Sequence, residues 1–288
     1  MIKKVLKSMI KPLLPACYQF FPELNCINQY RYNLGRMPNL INPKTFNEKV
    51  LRKLLFDRDP KLTLFADKYL VRDYVKSKLG TDGHLTKLYA VIDGPAEISG
   101  LGLPSQFVMK ANHLSGVVKI VRDSDSLAKG ELEDLASKWL QKNYYDKLHE
   151  WAYKNIKPRI IFEELLEFNG NVPDDWRFFC FRGEPRFIQV DIDRFIDQRR
   201  NFYDMDLTLL PVKKVFENFQ RETDSLQNYD KMLEIARKLS AGTDFIRVDL
   251  YNIQGRILFG ELTNYPSAGL GKFNPSSWDT TFGSYWKS

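Results

Sequence analysis

Two carboxylates, a guanidinium and a hydroxyl recur at alternate positions late in the chain. Arg247 and Asp249 lie in Phe245-Ile246-Arg247-Val248-Asp249-Leu250-Tyr251, and Glu261 and Thr263 in Arg256-Ile257-Leu258-Phe259-Gly260-Glu261-Leu262-Thr263. Carboxylate and hydroxyl oxygens are hard ligands suited to Mg²⁺, which keeps several waters and binds through one or two carboxylates plus substrate phosphates. To act together they need adjacent strands. Both runs are rich in β-branched, aliphatic and aromatic residues, and a three-residue loop Ile253-Gln254-Gly255 between them, with its glycine at positive φ, predicts a β-hairpin. That loop sets Asp249 across from Phe259 and Arg247 across from Glu261. Arg247, Asp249, Glu261 and Thr263 then share one face, while Ile246, Val248, Leu250, Leu258 and Leu262 share the core face. The same alternation also fits a half-buried hairpin whose polar face is simply wet, so the metal reading turns on whether the chain offers a nucleotide site.

A second chemical position is Lys110, at the end of Phe107-Val108-Met109-Lys110 and just before Asn112-His113-Leu114-Ser115-Gly116. A strand lysine is costly to bury without a partner, and a phosphate supplies one. Lys110 and the backbone N–H groups of His113 to Gly116 can hold anionic oxygens; the other reading is an edge lysine in water. A third set, Gln189, Asp191, Asp193, Arg194, Arg199 and Arg200, can dock an acidic acceptor, arginine being the bidentate binder of carboxylates. Surface solvation explains these six equally well.

The elements that must position these groups follow from pattern. Thr45 and Glu48 have capping-box spacing ahead of a helix with Val50, Leu51, Leu54 and Leu55 inward. A second helix runs from near Asp67 to Leu79, stopped by Gly80. Leu85 to Ile92, Phe107 to Ala111 and Val117 to Val121 read as strands, and Leu127 to Tyr144 as a helix. Arg159 to Leu166, Trp176 to Phe181, Phe187 to Val190 and Asn201 to Tyr203 alternate with turns in an antiparallel pattern. A helix from Leu226 to Ser240 leads into the hairpin.

With 288 residues, 43% of them hydrophobic, the chain can bury a large core. Its net charge of +7 suits anionic partners, but 36 acidic residues are spread along it and no basic tail or aromatic–basic repeat appears. Nucleic acid is therefore not expected, and nucleotide phosphates or an acidic substrate account for the charge. Cys17, Cys26 and Cys180 show no metal-ligand spacing, which fits a reducing cytoplasm. Ile2, Val5, Leu6, Met9, Ile10 and Leu13 follow helical spacing with Lys3, Lys4, Lys7 and Lys11 mostly opposite. This basic amphipathic helix docks either on the protein's own body or, peripherally, on an anionic membrane surface.

In order, Asp67-Lys68, Phe107 to Lys110 with its loop, Ile160-Ile161-Phe162-Glu163-Glu164-Leu165-Leu166, Arg247-Val248-Asp249 and Glu261-Leu262-Thr263 resemble the ATP-grasp fold. Thr45-Phe46-Asn47-Glu48-Lys49, Phe65-Ala66-Asp67-Lys68-Tyr69, Arg177-Phe178-Phe179-Cys180-Phe181 and Arg200-Asn201-Phe202-Tyr203-Asp204 extend the resemblance to the TupA-like ATP-grasp proteins of polysaccharide and teichuronopeptide biosynthesis, over about residues 40 to 288. The resemblance implies an α+β fold of two lobes gripping ATP between antiparallel sheets, with a helical segment over 1–60, a small lobe and subdomain over 61–158 and a metal-bearing lobe over 159–288. It implies that Lys68 and Lys110 bind ATP phosphates, that the loop His113, Ser115, Gly116 closes over them, and that Glu163, Glu164, Leu165 and Leu166 form the adenine hinge. Asp249 and Glu261 would ligate Mg²⁺ with Thr263 or Asn264 as third ligand, and Arg247 would stabilise charge in the transition state. The implied activity is an ATP-dependent ligase joining an amine to a carboxylate, such as a uronic-acid carboxyl of a cell-surface glycan. An alternative reading takes Asp191-x-Asp193, at the end of an apolar strand, as the metal motif of a glycosyltransferase using a sugar nucleotide.

Overall fold

A computed structural model describes residues 21–168, 170–194, 196–220 and 226–287. The expected amphipathic helix over residues 2–13, and Cys17, lie outside the described residues. The α+β class and the antiparallel sheets are found as expected.

The first described helices are α1 (Pro22–Leu34), α2 (Phe46–Phe56), α3 (Pro60–Ala66) and α4 (Val71–Leu79). Thr45 and Glu48 close both halves of a capping box on α2, satisfying two donors that helix geometry leaves orphaned. The helix expected from Asp67 begins only at Val71. Asp67 instead turns the chain, its carboxylate accepting from the backbone N–H groups of Tyr69 and Leu70 at 2.8 and 3.1 Å. Gly80 stops α4 in the left-handed conformation, which glycine adopts without the cost of a Cβ.

β1 (Leu88–Ile92), β2 (Phe107–Ala111), β3 (Val118–Val121) and β4 (Ile160–Glu163) form a four-stranded sheet in the order β1-β4-β2-β3, entirely antiparallel. Helix α5 (Glu131–Leu140) packs on it through Leu132 and Trp139. β4, which opens the 159–288 segment, thus hydrogen-bonds with strands of the 61–158 segment. After a short α6 (Tyr145–Leu148), β5 (Asp175–Phe181), β6 (Glu184–Ile192), β7 (Arg199–Tyr203), β9 (Phe245–Ile253) and β10 (Arg256–Thr263) build a five-stranded antiparallel sheet in the order β10-β9-β5-β6-β7. The short β8 (Lys213–Lys214) pairs with β11 (Phe273–Asn274), and α7 (Tyr229–Ser240) and α8 (Ser277–Tyr285) complete the fold.

The larger sheet separates two cores. Trp176, Phe178, Ile188, Val190, Val248 and Leu250 face α4 and α7. On the other face, at one end, Phe179, Phe181, Phe187 and Phe245 surround Phe46 of α2, with ring centroids 5.4–6.4 Å from it. The remainder of that face is polar, and it carries the candidate site.

The hairpin departs from its expected register. Its loop has two residues, Gln254 and Gly255, both at positive φ (51° and 87°), and Arg256 pairs with Ile253. A bulge between Phe259 and Glu261 then restores the phase, so that Glu261 stands opposite Asp249 and Thr263 opposite Arg247. The expected pairs Asp249–Phe259 and Arg247–Glu261 are corrected by this bulge. Leu258 pairs with Tyr251 and so joins the face of Asp249, while Ile257 and Phe259 take core positions. Gly260 fits the bulge because a Cβ there would lie 3.1 Å from the Asp249 carbonyl oxygen.

Candidate active site

A cavity of about 220 Å³ opens between the two sheets. The four-stranded sheet gives it Val108, Lys110, Val118, Ile120 and Glu163; the five-stranded sheet gives Asp175, Arg177, Asp249, Tyr251 and Glu261; α3 and α4 add Phe65 and Arg72, and the turn between them Lys68. Of the residues expected from sequence, Lys68, Lys110, Gly116, Glu163, Glu164, Leu165, Leu166, Arg194, Asp249 and Glu261 line this one space.

Lys68 and Lys110 are held differently. Lys68 follows the Asp67 turn, and its ammonium donates to the Leu114 carbonyl. Burial pushes its pKa down, Lys110 adds to this, and Glu261 opposes it. Asn112 ties the turn to the loop: its amide donates to Asp67 Oδ1 and Lys157 O, both at 3.0 Å, and its carbonyl accepts from the Arg159 N–H at 2.7 Å. Lys110 leaves β2 beside β4, where its ammonium lies 2.8 Å from Glu163 Oε2. Glu163 also accepts from Arg72 at 2.7 Å and Thr86 at 3.0 Å. Burial would raise the Glu163 pKa, but Lys110 and Arg72 hold it below the usual carboxylate range. The Glu163 side chain thus fixes Lys110; Glu164 to Leu166 line the cavity, and the Glu164 backbone N–H donates to Lys87 O at 2.9 Å.

In the loop, Gly116 at φ 71° meets nothing within 4 Å of where a Cβ would lie, and it lines the cavity. His113 does not. Its ring is buried, with Nδ1 3.0 Å from Asn112 Oδ1 and Nε2 3.1 Å from the Trp139 carbonyl, so the side chain braces the loop. The Ser115 hydroxyl meets Tyr144 and Tyr153.

Across the cavity, Arg247 chelates Asp249, with Nε 2.7 Å from Oδ1 and one terminal nitrogen 2.6 Å from Oδ2. The same nitrogen lies 2.7 Å from Glu261 Oε1. Arg247 is itself buried behind the pair and is not part of the cavity wall. Burial pushes the Asp249 pKa up despite Arg247 and Arg177; for Glu261 the attraction of Arg247, Lys68 and Arg177 outweighs burial, and its pKa falls. Two facing carboxylates on a cleft that also holds two lysines suit a magnesium ion shared with phosphate oxygens. A third ligand is less well served. Thr263 donates to Glu261 Oε1 at 2.9 Å, and Asn264 turns away, donating to Leu62 O at 2.8 Å and lining a separate cavity.

The expected acceptor site is largely dispersed. Arg194 lines the cavity 2.8 Å from Asp175. Asp191 is fully buried, chelated by Arg200 at 2.6 Å through both oxygens and reached by Gln189 at 3.0 Å and Gln198 at 2.9 Å. Burial works against its charge, yet Arg200 and Arg177 bring its pKa down to about 2. Gln189, Asp191 and Arg200 therefore form a sealed polar ladder beside the cavity. Arg199 is exposed and paired with Asp197 at 2.8 Å. Asp193 is exposed at φ 51° beyond the end of β6, so Asp191-x-Asp193 does not present two carboxylates to one metal. Among the described residues no group of three or more histidine, cysteine or acidic side chains is arranged to hold a metal.

Arg177, Arg72 and Asp175 are the charged cavity residues that sequence reading missed. Arg177 joins Asp175, Asp191 and Asp249, at 3.2 Å from the first and last. Its alternation with Asp175 on β5, opposite Gln189 and Asp191 on β6, is the signal that marks both.

The family follows from a match to the TupA-like ATPgrasp model over residues 48–287. The chain belongs to the TupA-like ATPgrasp family. No curated protein matches it in sequence. Similar solved structures include the ATP-grasp ligase PsnB complexed with its minimal precursor, at 11% identity and TM-score 0.41 over 76% of this chain and 59% of that one. D-alanine–D-alanine ligase from Bacillus anthracis complexed with ATP is 17% identical, TM-score 0.38, over 71% and 57%. The enzyme of that name from Helicobacter pylori is 17% identical, TM-score 0.42, over 78% and 62%. The chain thus spans about three-fifths of the length of these structures. Among the described residues of this TupA-like ATPgrasp protein, no helix is long and apolar enough to cross a membrane.

Proposed function

We propose that this TupA-like ATPgrasp chain is an ATP-dependent carboxylate–amine ligase, joining an amino acid or similar amine to a uronic-acid carboxyl of a cell-envelope glycan or its precursor. One observation carries the reading: Lys68 and Lys110 share a single cavity with the facing carboxylates Asp249 and Glu261. A carboxylate is a poor acyl donor until one oxygen becomes a good leaving group. Its oxygen attacks the γ-phosphorus, the bond to the β-phosphate oxygen breaks and ADP leaves. An amine adds to the acyl carbon, the bond to the phosphate oxygen breaks, and phosphate and a proton depart.

The chain's own groups have distinct tasks. Val108, Val118 and Ile120 offer an apolar slot beside Glu164 to Leu166 for the adenine. Lys110, aimed by Glu163, and Lys68, aimed by the Leu114 carbonyl, donate to phosphate oxygens, where charge-assisted bonds are strongest. Asp249 and Glu261 would hold Mg²⁺, which when bound neutralises phosphate charge. Arg247, behind the cavity wall, sets the spacing of that pair through one nitrogen that contacts both. Arg194 and Arg177, beside Asp175, offer guanidinium donors to the acceptor acid. The basic balance and the lysines among residues 2–13 suit an anionic glycan handled at the cytoplasmic face of a membrane.

The test is product analysis. Incubation with ATP, Mg²⁺, a uronic-acid glycan and a pool of amino acids should release ADP and phosphate and add the amine mass less one water to the glycan. Asp249→Asn should abolish this with the fold intact. A hexose-sized gain from a sugar nucleotide without ADP, or wild-type turnover in folded Asp249→Asn, overturns the reading.

A further inference from the structure

Positive charge and exposed apolar surface coincide at one end of the chain. Residues 1–44 hold seven lysines and arginines against a single acid, Glu23, and so account for six of the chain's seven net positive charges. Among the described residues twelve large apolar side chains are exposed, and five of them, Phe21, Leu24, Tyr32, Met37 and Ile41, fall within residues 21–41. Exposed apolar groups scattered singly are ordinary, but a concentration of them marks a contact surface.

Helix α1 brings these side chains to one side. Cys26 and Tyr30 are buried in the core, which fixes the side turned inward. Phe21, Leu24 and Tyr32, with Asn28 between them, are spaced three or four residues apart and run along the side turned outward. Tyr32 is 88% exposed, and Ile41, in the loop after α1, 95%. The neighbouring cations are only partly spent. Arg36 pairs with Glu48 and Asp279. Arg31 donates to the neutral Asn28, Lys44 is exposed, and neither makes an ion pair among the described residues. The sequence of residues 1–20 adds four lysines and no acid.

The two features together select the partner. A glycan or other polyanion answers the charge but leaves the apolar side chains in water, and an apolar protein surface answers those side chains but not the charge. A second copy of the chain, docked through the same face, would set like charge against like. A bilayer containing anionic lipid answers both, because binding at its surface combines buried apolar area with attraction to the headgroups. We propose that the outward side of α1 and the loop through Ile41 form a docking surface for an anionic phospholipid membrane. Leu24, Tyr32 and Ile41 enter the headgroup region, and Arg31 and Lys44 meet lipid phosphates. None of these residues lines the nucleotide cleft, so docking does not depend on the ligase reading.

Vesicle flotation of the full chain tests the surface, and it is read without nucleotide, so failure of the ligase reading leaves it untouched. Vesicles of phosphatidylcholine with about one-third phosphatidylglycerol should bind the protein at least tenfold more tightly than phosphatidylcholine alone, and salt should weaken the binding. Tyr32→Glu combined with Ile41→Glu should lower that affinity at least tenfold; both side chains lie in solvent, and circular dichroism checks that the fold is kept. Leu209→Glu, at an exposed apolar position outside residues 21–41, should leave binding unchanged. Four results would overturn the proposal: equal binding to both vesicles, an equal loss in Leu209→Glu, an oligomer that the double variant dissociates, or wild-type binding by the folded double variant, which would give the contact to residues 1–20 alone.

Discussion

Glu261 stands directly opposite Asp249, and one arginine nitrogen of Arg247 touches both. The bulge at Gly260 creates this pairing; without it Glu261 would be one position out of phase. Arg247 therefore acts as the counter-ion shared by the pair, with Arg177 3.2 Å from Asp249 alone. Removing it leaves two facing carboxylates with only Arg177 against Asp249, a geometry that a further cation relieves. Arg247→Ala should be less stable than wild type, yet Mg²⁺ alone, without nucleotide, should raise its melting temperature by more degrees than it raises that of wild type. An equal or smaller response to Mg²⁺ in the variant would show that the pair is not a cation site.

Lys110 and Glu163 offer a second measurement. The ammonium is 2.8 Å from a carboxylate that also holds Arg72, so Lys110 is aimed before any phosphate arrives. A charge-assisted hydrogen bond is worth roughly 1.5–3 kcal/mol, and Lys110→Ala should weaken ATP binding about tenfold or more. Glu163→Gln should weaken it less, and the two substitutions together should cost less than their sum, the mark of coupled residues. Additive effects in titration calorimetry would separate the two roles.

Lys214 gives a pH dependence of stability. It is 1% exposed, with its ammonium 4.8 Å from the Phe273 ring centre, and burial, reinforced by Arg200 and Arg247, lowers its pKa to about 7. The unfolded chain holds this proton up to about pH 10.4, so between about 7 and 10 it binds more protons than the native state. Stability from this group therefore rises with pH across that window and is lost as pH falls toward 7. Lys214→Met should stabilise the protein near pH 7 and flatten the rise, read as denaturation midpoints from pH 7 to 10. A wild-type slope in the variant would assign the effect elsewhere.

The hairpin faces, the capping box and the order of the strands are legible because side-chain alternation and cap spacing are local properties. The register of the hairpin is not. Whether Ile253 pairs or turns depends on Gln254 accepting positive φ, which its residue type does not announce, and the bulge at Gly260 compensates out of sight. The start of α4 is not legible because Asp67 caps a turn through the Tyr69 and Leu70 N–H groups and also accepts from Asn112, so the regular helix begins only at Val71. Lys68, Lys110, Asp249 and Glu261, singled out by their order along the chain, line one cavity. Gln189, Asp191 and Arg200 resemble acceptor ligands in sequence because alternation shows which face a residue takes but not what covers that face. The aromatic end of the same face is covered by α2 and α8, and the Asp191–Arg200 ladder seals itself.

That cover has a kinetic side. Phe46 on α2 meets Phe187, which in turn stacks on Phe282 of α8 at 3.8 Å, and the Asn47 backbone N–H donates to Asp279 across 232 residues of chain. At ribosomal rates of roughly 5–20 residues per second, α2 must wait on the order of ten seconds or more for the helix that closes its core. For that interval Phe46, Val50 and Leu54 have no complete shelter, so nascent chains stalled before residue 277 should be the species that chaperones retain.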